Sequence, residues 1–401
     1  MEFVRVTIES LHPHPPTQKC RLPFSAEESS HFEVPALDLN RLNVRPLADR
    51  RSLSRVEDIL VLPSQDPSPV IPELASLIDS TAVAIQEARQ RGAPVILMYG
   101  AHLLRNGAAL LLTDLMEQGF IQHIATNGAG TIHDWEYAWL GRSTEGVEEN
   151  VADGTFGAWD ETGRNIHLAL LSGALQGLGW GTSLGRFIHE EGCELPPRSQ
   201  LAGLVAQFPS DPMSPACCEL LVAMDRHGLA EGRHHLSHNW KQASILANAW
   251  RLGVTATVHP GIGYDIISCH PMFNGSVLGR AAAEDFRRFA GAVAQLDGGV
   301  VLSVGSAIMA PQVFEKSLSC AHNIRFQDGF GPVRNHQIFV VDLQDGGGWD
   351  WTQGEPPKSN PAYYLRFCKS FSRMGGAMHY LQCDNLAFIH HLHRRLISPS
   401  L

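Results

Sequence analysis

The clearest pattern in the sequence is an alternation between helical spacing and short apolar runs. Residues 71–92 place apolar residues on one face of a helix and end in a glycine. The apolar run APVILMYG at 93–100 is typical of a strand buried on both faces. A helical stretch at 101–120 and a strand at 121–130 follow. Together these segments form a β-α-β unit, which predicts parallel strands joined by crossover helices.

The same alternation returns in the second half of the chain. Helical patterns cover 238–253, 281–299 and 311–324, and buried strands are predicted within 254–265, 300–307 and 336–343. This order predicts an α/β fold with a doubly wound, mostly parallel, Rossmann-like sheet. The stretch 141–235 has glycine-rich pieces and helical patterns, and we interpret it as a helical insertion or a cover of the sheet.

Residues 1–70 differ from the rest of the chain because nine prolines interrupt any helix. We interpret this segment as an irregular N-terminal arm, followed by one α/β domain at 71–401. The apolar residues of the arm, among them Phe24, Val34, Leu37 and Leu39, predict contact with a partner surface. We therefore expect a homo-oligomer, either a dimer or a tetramer.

Composition and charge narrow the classes of function. Of the 401 residues, 44% are hydrophobic and 18% are charged, as in a globular protein. The net charge of −10 and the pI near 6.0 argue against nucleic acid or an anionic membrane as a partner. No window is uniformly apolar over about 18 residues, and the eight cysteines form no CxxC pair. We expect a cytoplasmic protein whose thiols are reduced and buried as small hydrophobic groups.

Glycines and small polar residues follow several of the predicted strands. Ligands collect at the carboxyl ends of the strands in an open parallel sheet, and glycine lets a ligand approach the backbone. The residues at these ends are Gly100-Ala101-His102, Asn127-Gly128-Ala129-Gly130 with His133 and Asp134, the segment His259–Asp265, Gly305-Ser306-Ala307, and Asp342. Asp342 fits a ribose contact or a turn cap, and Ser306 fits a ligand contact or a helix cap. Their convergence predicts a dinucleotide site at this edge of the sheet.

Lysines and histidines supply the other candidate chemistry. Lys369 lies among aromatic residues, where desolvation would make it a nucleophile; a lysine that extends to the surface is the alternative. Four histidines, His102, His133, His259 and His270, lie in or near the predicted strand-end loops. They show no HExxH pattern, and we predict no metal. The groups His234, His235, His238 and His390, His391, His393 are predicted to lie at the surface.

Over residues 71–393, the order of elements resembles the deoxyhypusine synthase family. His102 falls on an asparagine of the family, Asn127–Gly130 cover its Thr-Ala-Gly-Gly turn, and Ile132-His133-Asp134 fall on an acidic trio. Asp265 falls on the family's polyamine-binding aspartate. The segments 300–314 and 337–343 resemble its cofactor-binding turns. In PAYYLRFCK, Lys369 falls on the imine-forming lysine and Phe367 on a tryptophan, and Asp384 in LQCDNLAF falls on an acid that meets the cofactor.

The resemblance implies a tetrameric enzyme that uses NAD to oxidise an amine or polyamine to an imine and transfers the aminoalkyl group. The residue implied to be catalytic is Lys369. Those implied to bind the cofactor are Gly100, His102, Asn127, Gly128, Ala129, Gly130, Asp134, Gly305, Ser306, Asp342 and Asp384. Those implied to bind the substrate are His133, Asp265 and Phe367.

The sequence departs from the family where acids would hold a polyamine. Ile132 and His133 replace two carboxylates, Tyr363 replaces a glutamate, and Cys368 replaces a glycine. A relative of the bacterial deoxyhypusine and homospermidine synthases with a different amine or a different reaction fits this pattern. Two other functions stay open: a metal-assisted hydrolase or lyase built from the strand-end histidines and Asp134, and a non-catalytic NAD-binding protein.

Overall fold

A computed structural model describes residues 34–397 of the chain. The chain divides after Asp38 into two compact units, and all elements given below belong to the second, which begins at Leu39. Residues 39–70 of the predicted arm are therefore part of the same unit as the sheet. Val34 and Leu37 are exposed, whereas Phe24 lies outside the described residues.

The second unit is built around a parallel sheet. In the described residues the strands are β1 (Ser54–Arg55), β2 (Val95–Tyr99), β3 (His123–Thr126), β4 (Arg142–Ser143), β5 (Gly192–Leu195), β6 (Gly232–His235), β7 (Thr255–Val258), β8 (Val300–Val304), β9 (Gln337–Asp342) and β10 (Ala377–Gln382). Six of them form the main sheet in the order β10-β9-β8-β2-β3-β7, and all neighbouring pairs are parallel. The strands β1 and β4, and β5 and β6, form two small antiparallel pairs.

Helices cover both faces of this sheet. Within residues 34–397 they are α1 (Val56–Ile59), α2 (Pro72–Gln90), α3 (His102–Arg105), α4 (Ala109–Glu117), α5 (Gly128–Leu140), α6 (Val147–Ala152), α7 (Asp160–Ala174), α8 (Trp180–His189), α9 (Arg198–Gln207), α10 (Ser214–His227), α11 (Ile245–Leu252), α12 (Gly275–Ala294), α13 (Met309–Gln327), α14 (Arg366–Ser372) and α15 (Asn385–Ile397). The predicted doubly wound α/β fold is confirmed.

Two apolar cores lie on opposite faces of the sheet. In β2, Val95, Leu97 and Tyr99 contribute to one core, and Ile96 and Met98 contribute to the other. The first core also holds buried residues of α2, α4, α5, α8 and α15, and the second holds those of α12, α13 and α14. Because successive side chains of a strand point to opposite faces, a strand between two such cores must be apolar throughout.

The chain reverses its direction of travel across the sheet between β2 and β8. It runs outward from β2 to β3 and β7, and then returns to β8 on the other side of β2 before adding β9 and β10. The carboxyl ends of β2 and β8 therefore form the topological switch point, where open α/β sheets bind their ligands.

Several predicted elements differ from the structure. The single helix expected at 101–120 is broken into α3 and α4, because Gly107 has φ +90° and packs against the Ile59 carbonyl, where a Cβ would overlap the oxygen. The glycine turn expected at 127–130 is the first turn of α5. Strand β10 was not predicted, since it lies at the edge of the sheet and its residues are a mixture of buried, half-buried and exposed.

The stretch 141–235 contains the helices α6 to α10 and the β5–β6 pair. Helices α7 and α8 pack against each other, and α8 also packs on β7 and α11. Trp180 and Phe187 of α8 are fully buried. This part of the chain therefore contributes to the core beside the outer strand β7.

The prediction that the histidines of α15 are solvated was wrong. His390 and His391 are buried and bond through Nε2 to the backbone carbonyls of Gln65 and Ser68, and His393 is paired with Asp114. His238 is also buried, whereas His234 and His235 lie toward the surface as expected.

The cysteines follow the expectation of burial only in part. Of the cysteines within 34–397, Cys217, Cys368 and Cys383 are buried, Cys193 is half-buried, and Cys218, Cys269 and Cys320 are exposed; all are free thiols. No helix in the described part of the chain is long and apolar enough to cross a membrane.

Candidate functional site

A cavity of about 230 Å³ lies at the carboxyl ends of β3 and β7, beside the first turns of α5. It is lined by Arg50, Arg105, Ala129, Ile132, His133, Glu136, Thr144, Glu145, Val147, Phe156, Tyr264, Asp265 and Ile266. We call it the carboxyl-edge cavity. Three residues that the sequence predicted for ligand binding, Ala129, His133 and Asp265, are brought together here.

Asp265 is bound to the N-terminus of α5. Its Oδ1 accepts a hydrogen bond from the Ala129 amide at 3.1 Å, and its Oδ2 accepts one from the Gly261 amide at 2.8 Å. Burial raises the pKa of this carboxyl group. Only glycine fits at position 128, because a Cβ there would overlap the Asp265 carboxylate. The carboxylate thus occupies the position where a helix N-terminus would hold a phosphate group.

Asn127 satisfies a further amide of the same turn. Its side chain is the N-cap of α5 and accepts a hydrogen bond from the Gly130 amide at 2.9 Å. Because Asp265 and Asn127 use the donors of this turn, the predicted cofactor residues Asn127, Gly128, Ala129 and Gly130 hold one another in place.

A buried ion pair forms one wall of the carboxyl-edge cavity. The Arg50 guanidinium donates two hydrogen bonds to Glu136, at 2.9 and 2.7 Å, and both side chains are at most 2% exposed. Glu136 also accepts hydrogen bonds from the hydroxyl groups of Thr162 and Ser143, at 2.8 and 2.5 Å. The sequence analysis missed this pair, since Arg50 lies in the predicted arm and no motif links it to Glu136.

His133 presents an unprotonated nitrogen to the cavity. Burial lowers its pKa to about 4, so the ring is neutral at pH 7. The Ser143 hydroxyl donates its hydrogen to Glu136, and its oxygen is 2.8 Å from His133 Nδ1. Nδ1 must therefore carry the ring hydrogen and donate it to Ser143, which leaves the lone pair on Nε2.

The charges around the cavity do not balance. Glu145 accepts hydrogen bonds from Trp159 Nε1 at 2.9 Å and the Gly157 amide at 3.3 Å, and it lies 4.0 Å from Arg50. Arg105 is exposed at the rim and has no hydrogen bond or ion pair within the described residues. The carboxylates of Glu136, Glu145 and Asp265 outnumber the guanidinium groups of Arg50 and Arg105 by one.

The second part of the candidate site lies at the switch point. Gly100 and Gly305 follow β2 and β8, and their backbones touch so closely that a Cβ on Gly100 would overlap the Gly305 carbonyl oxygen. Ser306 Oγ accepts a hydrogen bond from the Ala310 amide at 3.3 Å in the first turn of α13. The amides of Ile308 and Met309 have no acceptor within residues 34–397.

Asn385 closes over this turn from the start of α15. Its amide group packs on Gly305, whose φ is +60°, and its Oδ1 is buried without a hydrogen-bond partner. The neighbouring Asp384 accepts a hydrogen bond from the Ala387 amide at 2.9 Å, and Asp342 accepts one from the Gln344 amide at 3.1 Å. The sequence analysis predicted Asp384 in this loop as a cofactor-binding residue, but it did not identify Asn385.

Three predicted site residues have their partners elsewhere. Asp134 is fully buried and accepts hydrogen bonds from Ser244 Oγ at 2.5 Å and the Ile245 amide at 2.7 Å, where it caps α11; burial raises its pKa to about 7. Phe367 packs in the core on the α13 face of the sheet. His102 is exposed in the first turn of α3.

Lys369 lies on α14 and does not line the carboxyl-edge cavity. Its ammonium group is 2.5 Å from a Glu355 oxygen and 3.7 Å from the centre of the Tyr363 ring. A lysine must leave such a partner and lose its proton before its nitrogen can attack a carbonyl or imine carbon.

The histidines of the metal hypothesis have separate partners. His259 Nε2 faces Thr257 Oγ1 at 3.3 Å, and His270 Nδ1 accepts a hydrogen bond from the Met272 amide at 3.0 Å. Among residues 34–397, no group of three or more His, Cys, Asp or Glu side chains is arranged to hold a metal ion.

Comparisons with known proteins return structural similarity only. No family model matches the sequence, and no curated protein matches it. Solved structures with a similar backbone include an arginine dihydrolase from the ornithine-ammonia cycle in cyanobacteria, at 12% identity and a TM-score of 0.38. That match covers 82% of this chain and 34% of the other, so the chain spans about a third of that protein's length.

Two further structures match with similar scores. A conserved putative LOR/SDH protein from Methanococcus maripaludis S2 is 14% identical with a TM-score of 0.41, and the match covers 84% of this chain and 73% of that one. A putative deoxyhypusine synthase from Entamoeba histolytica is 9% identical with a TM-score of 0.29, covering 68% and 81%. Similarity at this level carries no argument about function, and the fold class rests on the parallel sheet itself.

Proposed function

We propose that the protein is an NAD-dependent enzyme that oxidises a small amine held in the carboxyl-edge cavity. The observation that carries this proposal is the surplus of one carboxylate over the guanidinium groups that line the carboxyl-edge cavity. His133 adds no positive charge because its pKa is about 4. An uncompensated carboxylate attracts a cation, and an ammonium group is the cation that an amine supplies.

The size of the cavity limits the substrate. A volume of about 230 Å³ lies below the usual range of sites for drug-sized ligands, which starts at about 300 Å³. An amine of amino-acid size fits. For an amine that also carries a carboxylate, the unpaired guanidinium of Arg105 at the rim supplies the matching charge.

The residues at the end of β8 fit the cofactor. The amides of Ile308 and Met309 at the N-terminus of α13 suit a pyrophosphate, whereas those of α5 are used by Asp265 and Asn127. The buried, unpartnered Oδ1 of Asn385 suits a hydrogen-bond donor on the nucleotide. NAD bound there would supply a hydride acceptor.

The two parts of the site are close enough for one reaction. Strands β8, β2 and β3 are neighbours, so their ends are about 10 Å apart at the usual spacing of parallel strands. The substrate ammonium would lie near Asp265 and would have to lose its proton to solvent before the amine reacts. Loss of a hydride from the carbon next to the neutral amine, with NAD as the acceptor, would leave an iminium group on the substrate.

Aminoalkyl transfer through Lys369 is a further proposal that rests on the family resemblance. It requires Lys369 to separate from Glu355 and to reach the substrate. Borohydride trapping of the imine in the wild-type protein and in Lys369→Ala tests this step. Trapping that persists in the variant would remove Lys369 from the reaction.

The experiment for the whole proposal combines NAD binding with amine oxidation. We expect calorimetry to detect NAD binding, and Ile308→Asp to weaken it at least about tenfold because the new carboxylate faces the pyrophosphate. Ile308 is exposed, so Ile308→Asn is a matched control that keeps the size without the charge.

Amine oxidation is then followed as NADH absorbance with a panel of diamines and basic amino acids. NADH formation with at least one member of the panel is the expected result. NAD binding without turnover would instead support the non-catalytic alternative, and no NAD binding at all would contradict the proposal.

A further inference from the structure

A second cavity, of about 280 Å³, lies between α7, α10 and the first turn of α12. Its polar lining consists of Asn40, His167, His270, Arg226, His227 and Asn274, and the remaining walls are mostly apolar. We call it the histidine cavity. It shares no lining residue with the carboxyl-edge cavity.

His167 presents a hydrogen-bond acceptor that the protein does not use. The side chain is 1% exposed, and its Nδ1 is 2.7 Å from the Gly163 carbonyl oxygen. Since a carbonyl only accepts, Nδ1 carries the ring hydrogen and Nε2 carries the lone pair. Burial lowers the pKa of His167 to about 4, so the ring is neutral, and Nε2 has no partner in the described structure.

His270 presents the complementary donor. It is 3% exposed, and its Nδ1 accepts a hydrogen bond from the Met272 amide at 3.0 Å. The ring hydrogen must therefore be on Nε2, which is 3.6 Å from Asp160 Oδ1 and too far for a hydrogen bond. The backbone of Gly163 packs directly against the His270 ring and fixes its position, because any Cβ at residue 163 would overlap it.

The two imidazole rings are stacked, with their centres 6.0 Å apart and their planes 22° apart. The imidazole with the unused acceptor and the imidazole with the unused donor are therefore neighbours in the lining of the histidine cavity. A hydroxyl group satisfies both at once, because it donates its hydrogen and accepts another on its oxygen. Two buried ring nitrogens without partners are costly unless a ligand or water completes them.

Another part of the lining of the histidine cavity is suited to an anion. Arg226 is exposed at the end of α10 and has no hydrogen bond or ion pair within the described residues. Asn274 is the N-cap of α12, a helix of 20 residues, and its side chain is bonded to Ser276. The amide of Gly275 has no acceptor within residues 34–397, so the positive end of this helix faces the cavity beside Arg226.

We propose that the histidine cavity is a second ligand site, which binds a small anion carrying a hydroxyl group. The hydroxyl lies between His167 Nε2 and His270 Nε2, and the phosphate or carboxylate lies between Arg226 and the start of α12. The segment from β7 to α12 carries Asp265 into one cavity and His270 into the other. A ligand in the histidine cavity therefore holds the segment that positions Asp265.

Binding to the full-length protein is measured by calorimetry with probes that separate the two halves of the ligand. Glycerol 3-phosphate carries both groups, inorganic phosphate lacks the hydroxyl, and glycerol lacks the anion. Malate and succinate form a second pair that differs in one hydroxyl group. We expect glycerol 3-phosphate or malate to bind at least about tenfold more tightly than its partner without the hydroxyl group. The better of the two identifies phosphate or carboxylate as the anion.

Variants at two positions locate the anionic group and the hydroxyl group of the bound ligand. Arg226→Gln is at an exposed position and is expected to weaken binding at least about tenfold, while Arg226→Lys keeps the charge and most of the affinity. His167→Leu is expected to abolish the preference for the hydroxylated probe. Equal binding of both members of each pair, binding unaffected by Arg226→Gln, or no binding of any probe at millimolar concentration would each overturn the proposal.

Discussion

The ion pair between Arg50 and Glu136 gives the sharpest test of how the carboxyl-edge cavity is held. Both side chains are buried, and the guanidinium donates two hydrogen bonds to one carboxylate. The substitution Arg50→Met keeps the length of the side chain and removes its charge. Glu136 would then keep its bonds from Thr162 and Ser143 but lose its countercharge.

The structure allows the magnitude to be worked out. Removing one partner of a buried, hydrogen-bonded ion pair costs about 3–5 kcal/mol, because the remaining charge has no compensation. Glu136→Gln should cost less, since Arg50 keeps Glu145 at 4.0 Å. In the double variant neither charge is stranded, so we expect it to be more stable than the sum of the single changes by about 2 kcal/mol.

Urea unfolding followed by tryptophan fluorescence measures these differences as shifts in the midpoint at constant slope. Arg55→Met is the matched control, because Arg55 is exposed and its ion pair with Glu57 is 3.9 Å long. We expect this control to stay within about 0.5 kcal/mol of the wild type. A loss below about 1 kcal/mol for Arg50→Met, or strict additivity in the double variant, would refute the reasoning.

Other predictions concern the buried carboxylate of Asp134 and the glycines. Burial raises the pKa of Asp134 to about 7, so the folded state binds this proton more tightly than the unfolded state, and stability falls as the pH rises from about 4 to 7. Asp134→Asn, whose one amide oxygen can still accept the bond from the Ile245 amide while its NH2 group faces Ser244 Oγ, should remove up to about 4 kcal/mol of that fall in pH-dependent urea titrations; an unchanged slope would contradict it. Gly100→Ala should lower stability by about 2 kcal/mol or more, since its Cβ has no room. Gly203→Ala, at an exposed helical position with open space around it, should raise stability by up to about 1 kcal/mol, and thermal unfolding of both compares them.

The sequence was most informative where burial is uniform. Strands β2 and β8 are buried at every position and almost entirely apolar, with Ser303 as the exception in β8, and both were predicted because a strand between two helical layers has no solvated face. Strand β10 lies at the edge of the sheet, and His379 and Tyr380 leave its pattern mixed. A local pattern therefore finds buried strands, including the outer strand β7, and misses β10, whose residues are only partly buried.

Polar residues whose burial depends on distant segments could not be predicted. The histidines of α15 form a polar run that is typical of a solvated helix face. They are buried because the segment containing Gln65 and Ser68 crosses them and offers backbone carbonyls to His390 and His391. Arg50 is similar, since nothing around it in the sequence indicates that it meets Glu136. Such pairings depend on contacts between parts of the chain that only the fold brings together.

Asp265 shows how a correct position can have a different consequence from the one expected. The sequence predicted that Asp265 lies at the carboxyl ends of the strands, and the structure has it there. The resemblance implied that its carboxylate binds only the substrate. In the structure its carboxylate also binds the Ala129 amide of α5, because β7 is the neighbour of β3 and brings the two loops together. A second anion cannot share those donors without separating the carboxylate from them. In the proposed reaction, the phosphate groups of a dinucleotide would therefore bind at the start of α13, across the switch point from the cavity, and the negative charge of Asp265 would remain next to the cavity for a cationic substrate.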